Sequence, residues 1–219
     1  MLFQQLKLQT NNLRELFGFY KDVFELPVSR QNNTISIITG KSELIFEENN
    51  SIENPFYHFA FNIPSNKIEE AFDWTKKRVE ILWLDEFNSY FADFKSWNAK
   101  SFYFLDPAGN IGELIARFDL EDTTEEKFSA EQFRNVSEIG LVFPNASFAR
   151  DVNEVVNKFQ LEYFTKQPPL AHFKAVGDDE GLFVSVPLHR NWFSTKLPAG
   201  IFPLSIKFRD HDREHLLTT

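Results

Sequence analysis

The sequence predicts an α+β fold built from a βαβββ module, in which one strand is followed by a helix and three more strands. Segments of alternating apolar and polar residues precede segments of helical spacing, and this order recurs three times along the 219 residues. Phenylalanine accounts for 26 residues, and such bulky rings favour strands. Turn-forming residues separate the segments. We therefore predict paired modules that form a cup-shaped mixed sheet around a cavity, with a third βαβββ-like module beside them.

The first module begins at residues 3–9, where apolar and polar residues alternate as in a half-buried strand. Asn12 is predicted to cap the following helix, because Glu15 completes the pattern of a capping box. Pro27 ends this helix, since proline cannot continue it. Two further strands complete the module, at residues 34–39 and 43–47.

The second module repeats this order and starts with a strand at residues 57–63. Asn66 and Glu69 match the capping pattern again, which predicts a helix over the apolar stripe that ends at Val79. Asp106-Pro107-Ala108-Gly109 is a strong turn signal, because proline presets the corner and glycine accepts a positive φ. The remaining strands are predicted at residues 81–84, 102–105 and 111–118.

Residues 119–134 are charged and contain few large apolar side chains, which predicts a linker. The third module follows, with a strand at residues 136–143 and a helix whose apolar stripe runs from Phe148 to Phe159. Its later strands are predicted at residues 173–176, 182–187 and 203–208. The predicted organisation is therefore a two-module domain at residues 1–118, the linker, and a third module at residues 135–219.

The composition argues against several functional classes. The formal net charge of −9 disfavours nucleic-acid binding, which needs clustered lysine and arginine. The chain has no cysteine, so disulfides and thiolate metal sites are excluded and a cytoplasmic location is expected. No apolar stretch reaches the ~18 residues of a membrane span, and the first residues lack the pattern of a signal peptide. The 8 glycines form no phosphate-binding loop.

Two segments resemble a known superfamily. Residues 106–115, with the sequence Asp-Pro-Ala-Gly-Asn-Ile-Gly-Glu-Leu-Ile, are similar to the hairpin of the vicinal oxygen chelate superfamily. Residues 5–20 resemble its opening strand and helix. That superfamily includes glyoxalase I, extradiol dioxygenases, and the fosfomycin and bleomycin resistance proteins. The resemblance covers residues 3–118 and is weaker from residue 136 onward.

The resemblance implies metal ligands on the first and last strands of each module. These positions fall on Gln5 and Glu43 in the first module and on His58 and Glu113 in the second. The set is similar to that of the animal type of glyoxalase I, and it suits Zn²⁺, Mn²⁺, Ni²⁺ or Fe²⁺ with positions left open. Such a metal polarises a carbonyl while Glu113 or Glu43 acts as the base. Because these four residues complete one set, modules one and two are expected to pair.

Each assignment has an alternative, and for Glu113 it is a surface glutamate on an edge strand. Gln4 competes with Gln5, and Glu47 lies on the same strand face as Glu43. His58 stands among aromatic residues and is also compatible with a half-buried structural histidine.

The third module departs from the pattern. Glu138 occupies its first-strand position, but residues 203–208 offer no carboxylate. It therefore holds at most half a ligand set, and we predict a structural or dimerising role for this module.

Two other motifs contain residues that can bind ligands or metals. The run Leu188-His189-Arg190-Asn191-Trp192 could hold an anion or a planar ligand, but a packed loop with an exposed arginine is the preferred interpretation. The run from His211 to His215 matches a His-x-x-Glu-His metalloprotease pattern. Too few residues follow for its third ligand, so we predict a charged tail.

The leading hypothesis is a metal-dependent lyase or isomerase of the glyoxalase type, acting on a small oxygen-rich substrate. The ligand set lacks a second histidine, which disfavours a ring-cleaving dioxygenase. The alternatives are metal-free binding of a flat ligand, as in the bleomycin resistance proteins, and a dimerising scaffold. An unpaired third module favours a homodimer. The sequence does not identify the substrate.

Overall fold

The structure, a computed structural model, describes residues 1–193 and 195–219. Two curled mixed sheets carry most of the chain, and helices pack beside them, which confirms the predicted α+β class. Within the described residues, no helix combines the length and apolar character needed to cross a membrane.

Module one begins with a strand that closely matches the prediction. Asn12 precedes its helix but makes no capping hydrogen bond through its side chain, so the predicted capping box is wrong. The helix continues into one π-helical turn at Phe19–Val23 before Pro27. The elements are β1 (Leu2–Thr10), α1 (Leu13–Gly18), β2 (Val28–Gln31), β3 (Thr34–Thr39) and β4 (Ser42–Glu48).

Module two has a shorter helix than predicted. The side chain of Asn66 donates to the carbonyl oxygen of Thr124 at 2.9 Å instead of capping the helix. Residues 81–84 form only isolated bridges, between Ile81 and Phe104 and between Leu84 and Ser89. The elements are β5 (His58–Ile63), α2 (Ile68–Lys76), β6 (Ala92–Phe94), β7 (Ala99–Leu105) and β8 (Ile111–Arg117).

Module three is a βαββ unit followed by a hairpin. Residues 119–134 form no strand and only one short 3₁₀ turn. The segment from His211 to His215 is not a charged tail, since His211 and Asp212 form the turn of the final hairpin. The elements are β9 (Asn135–Phe143), α3 (Phe148–Phe159), β10 (Lys174–Asp178), β11 (Gly181–Pro187), β12 (Leu204–Asp210) and β13 (Arg213–Thr218).

The order of the strands corrects the predicted pairing of modules. The first sheet runs β13-β12-β1-β4-β3-β2, and the second runs β10-β11-β9-β5-β8-β7-β6. Module two therefore joins module three, through antiparallel pairing of β5 with β9. Module one pairs with β12, which leaves module three and crosses to the first sheet. The prediction that modules one and two form the cup together is wrong.

Two apolar clusters lie on opposite faces of the second sheet. The larger cluster contains residues of both sheets and of all three helices, so it fills the space between them. The smaller cluster covers the other, concave face and includes Ala60, Ile115, Val184 and Trp192. The concave face is therefore a second, separate interior, and the candidate site lies there.

Candidate metal centre

Three adjacent central strands position the candidate site. Strand β5 lies between β8 and β9 in the second sheet. Side chains alternate between the two faces of a strand. Phe59, Leu114 and Ile139 therefore join the large core. Their neighbours His58, Glu113 and Glu138 point to the concave face, where all three line one cavity.

The three side chains are buried and converge. One donor atom of each lies within 4.8 Å of the others. Nε2 of His58 is 3.6 Å from Oε2 of Glu113 and 3.8 Å from Oε2 of Glu138. A metal with bonds of about 2.1 Å holds its ligand atoms ~3–3.5 Å apart. A small inward movement would therefore complete a site with one nitrogen and two carboxylate donors.

The imidazole of His58 is oriented by the backbone. Its Nδ1 lies 3.2 Å from the carbonyl oxygen of Ile111. Because a carbonyl only accepts, Nδ1 donates and Nε2 faces the carboxylates, which is the orientation that metal-binding histidines commonly have. Burial opposes the protonated ring, but the nearby carboxylates of Glu138 and Glu113 outweigh it, so the pKa of His58 is raised.

Glu113 is the least satisfied member of the group. Its Oε1 is buried and makes no hydrogen bond with the described residues. Burial, followed by the charge of Glu138, raises the pKa of Glu113 to about 7, although His58 acts in the opposite direction. Tyr103 pairs with Glu113 across β7 and β8, and burial together with that carboxylate raises the pKa of its phenol. An unpaired buried oxygen is costly unless a ligand or proton occupies it.

Glu138 is held by a buried arginine. Nη2 of Arg117 donates to its Oε1, which leaves Oε2 directed to His58. Arg117 also lies 3.4 Å from the carboxylate of Asp179 and donates to Oδ1 of Asn62 at 3.2 Å. Its side chain is fully buried. This network fixes the position of Glu138, which lies in the module for which the sequence predicts a structural or dimerising role.

The fourth position of the cup is apolar. His58 pairs with Ile111 in parallel register, and Glu113 follows two residues later. Glu138 pairs with Leu182 in the same way, so the corresponding residue of β11 is Val184. Val184 also lines the cavity. The site therefore has three polar positions and one apolar position.

The structure does not bring the four predicted ligands together. His58 and Glu113 meet in the second sheet, whereas Gln5 and Glu43 lie in the first. There Nε2 of Gln5 donates to Oε2 of Glu43 at 2.7 Å, and the hydroxyl of Ser36 donates to its other oxygen. Glu43 therefore has hydrogen-bond partners within its own sheet and is separated from the other two residues.

Aromatic rings cover the site. The cavity has a volume of about 230 Å³. Trp192 is buried and stacks obliquely 5.3 Å from the ring of His58. Gly140 makes room for it, because a Cβ there would lie 2.4 Å from Cη2 of Trp192. Arg190 lines the same cavity and is half-buried, so the preferred interpretation of this loop, with an exposed arginine, is wrong.

Solved structures resemble most of the chain. A dioxygenase candidate from Bacillus subtilis matches 92% of this chain and 65% of its own length, with a TM-score of 0.56 and 15% identity. The chain has the glyoxalase-type fold. A glyoxalase I mutant from Zea mays matches 85% of this chain and 66% of its own length, with a TM-score of 0.54 and 13% identity. No protein-family model and no curated protein matches the sequence.

This likeness confirms the resemblance to the vicinal oxygen chelate superfamily at the level of the fold. The chain spans about two thirds of each neighbour, and the fold supports many reactions. An activity must therefore be argued from the side chains of the cup.

Proposed function

We propose that this glyoxalase-type protein is a metal-dependent enzyme in which His58, Glu113 and Glu138 hold a divalent cation. The observation that carries the proposal is the convergence of three buried donors, one of which has an unpaired oxygen. One nitrogen and two carboxylates suit Zn²⁺, Mn²⁺ or Fe²⁺. Val184 contributes no donor, so such an ion would keep positions open for two neighbouring oxygens of a small substrate.

The bound ion would supply Lewis acidity toward a substrate carbonyl or enediolate. The protein's own residues would do the rest. Glu113 offers its second oxygen to a proton that the substrate loses or gains. Arg117 holds Glu138 in place, and Trp192 and Tyr103 exclude water from the cup. This set supports a lyase or isomerase of the glyoxalase type better than a ring-cleaving dioxygenase.

Metal analysis tests the proposal. The untagged protein should take up about one Zn²⁺ or Mn²⁺ per chain in equilibrium dialysis. Glu113→Gln removes one of three ligands, so it should weaken that binding by at least the ~10–100-fold that losing an outer partner of a ligand costs. Glu43→Gln is the matched control, since it changes a carboxylate on the last strand of module one in the same way. Equal losses in both variants, or no uptake by the wild type, would contradict the proposal.

A second candidate function is metal-free binding of a flat ligand. The buried pair between Arg117 and Glu138 favours it, because this pair neutralises one carboxylate without a metal. Under this alternative, chelator leaves the melting temperature and ligand binding unchanged. Under the metal proposal, chelator lowers the melting temperature of the loaded protein, since an ion bound only to the folded state stabilises it.

A further inference from the structure

The cavity above the three donors is large enough for an aromatic ring. A volume of about 150 Å³ is enough for benzene, and this cavity has about 230 Å³. Its polar donors lie on one side, and aromatic rings form most of the remaining wall. The rings belong to Phe94, Trp97, Tyr103, Phe173, Trp192 and Phe193.

One cation interrupts this apolar wall. The guanidinium of Arg190 lies 5.6 Å from the ring centre of Phe173, at the border of the cavity. Within residues 1–193 and 195–219 its side chain makes no hydrogen bond and no ion pair. Burial lowers the pKa of Arg190, and Glu86 is the carboxylate whose charge opposes this effect from a distance.

A half-buried guanidinium that forms no direct ion pair with the described residues can gain charge-assisted hydrogen bonds from an anionic ligand. The two carboxylates that line the cavity have other partners. Glu138 is paired with Arg117, and Glu113 faces His58. Neither glutamate offers an incoming anion a partner, so the anion is favoured at the arginine and not beside the donors.

We propose that the cavity binds an aromatic carboxylate, with its ring between the aromatic walls and its carboxylate on Arg190. The planar fork of a guanidinium matches a carboxylate with two parallel hydrogen bonds, which makes Arg190 the residue that selects for charge. The inference rests on the proposed function in one respect: oxygens at the end of the substrate opposite its carboxylate would bind the metal. Recognition of the ring and the anion uses the protein's own side chains.

Binding of matched probes to the full-length protein tests this inference. Benzoate and benzamide have nearly the same size and shape but differ in charge, and acetate carries the charge without the ring. Tryptophan fluorescence and calorimetry should show benzoate binding about tenfold or more tightly than either, because hydrogen bonds between charged groups exceed those of neutral ones. Arg190→Gln should reduce the affinity for benzoate to that for benzamide and leave the affinity for benzamide unchanged.

Two further variants keep the result interpretable. Arg190→Lys retains the charge but loses the fork, so it should bind benzoate with intermediate affinity. Arg150→Gln removes an exposed arginine on helix α3 and should leave the affinity for both probes unchanged. Equal binding of benzoate and benzamide by the wild type, a preserved preference in Arg190→Gln, or no binding of any probe would overturn the inference.

The same titrations are made with chelator and with Zn²⁺, which separates this inference from the proposed function. If the preference depends on Arg190 but no Zn²⁺ binds, the carboxylate site stands and the metal proposal fails. If Zn²⁺ binds but benzoate has no advantage over benzamide, the metal proposal stands and the carboxylate site fails.

Discussion

In the first sheet, Gln5 and Glu43 lie directly opposite each other, and their side chains bond to one another on a half-exposed face. In the second sheet, His58 lies opposite Ile111, so Glu113 is offset by two residues and the two side chains face a shared space. The outer face of the first sheet satisfies its own polar groups, whereas the concave face of the second leaves Glu113 unsatisfied.

The two faces also differ in what covers them. The cup of the second sheet is enclosed because module three adds Glu138 on one side and its loop adds Trp192 above. The first sheet receives the hairpin β12–β13 beside β1, and there Gln5 and Glu43 stay half-exposed. Suitable residue types on equivalent strands therefore form a candidate site only where a second module encloses them.

The largest expected difference between the two faces concerns their ion pairs. Arg117→Met leaves Glu138 without its buried partner and should lower the free energy of unfolding by about 3–5 kcal/mol. Lys7→Met breaks the partly exposed pair with Glu47 on the first sheet, where we expect a loss below about 1 kcal/mol. Urea unfolding of both variants measures the contrast. Similar losses would contradict the account of two different faces.

The link between modules one and two should depend on pH. Asp106, in the turn before β8, accepts a hydrogen bond from Tyr20 of module one at 2.9 Å. Burial raises the pKa of Asp106 from 3.8 to about 6, although its hydrogen bonds oppose the shift. The folded protein therefore holds this proton more tightly than the unfolded chain, and the free energy of unfolding falls as pH rises through this range.

The size of this effect follows from the shift of about two units, which corresponds to about 3 kcal/mol. Asp106→Asn removes the titration, so the difference in unfolding free energy between wild type and variant should change by that amount between about pH 4 and pH 7. Urea unfolding at several pH values measures it. A difference that is independent of pH would show that Asp106 is not perturbed by burial.

A smaller effect is expected from closing the space beneath Trp192. Gly140→Ala places a methyl group against the indole, and such overpacking costs about 1–3 kcal/mol. Gly18→Ala is the control, because its nearest neighbour would be 3.9 Å away and alanine is favoured in a helix. Thermal unfolding and tryptophan fluorescence should change in the first variant only. An unchanged emission spectrum would argue against close packing of Trp192 on β9.

Local patterns predicted most elements of the fold. The alternation of β1 and β3 and the stripe of α3 correspond to real burial, and β9 is buried along most of its length, so the positions of these elements agree with the structure within a few residues. Strands β2, β6 and β13 were missed, because β2 and β13 are mostly exposed and β6 has only three residues. Short edge strands bury too little surface to show a pattern.

The site was only half predictable for a different reason. Glu113 followed from the hairpin that resembles the superfamily, since its turn fixes the register of β8, and His58 followed from the first-strand position that the same resemblance implies. Glu138 was assigned elsewhere, because the choice of which module pairs with which depends on contacts between distant strands and not on local pattern. Sequence order suggested adjacent modules one and two, but the free edge of β1 is taken by β12.

The most direct test of the central claim is an anomalous difference map at the zinc absorption edge, from crystals grown with Zn²⁺. The account predicts one strong peak in the cup, about 2.0–2.3 Å from Nε2 of His58 and from carboxylate oxygens of Glu113 and Glu138. Absence of a peak between these three side chains, or a peak between Gln5 and Glu43 instead, would contradict it.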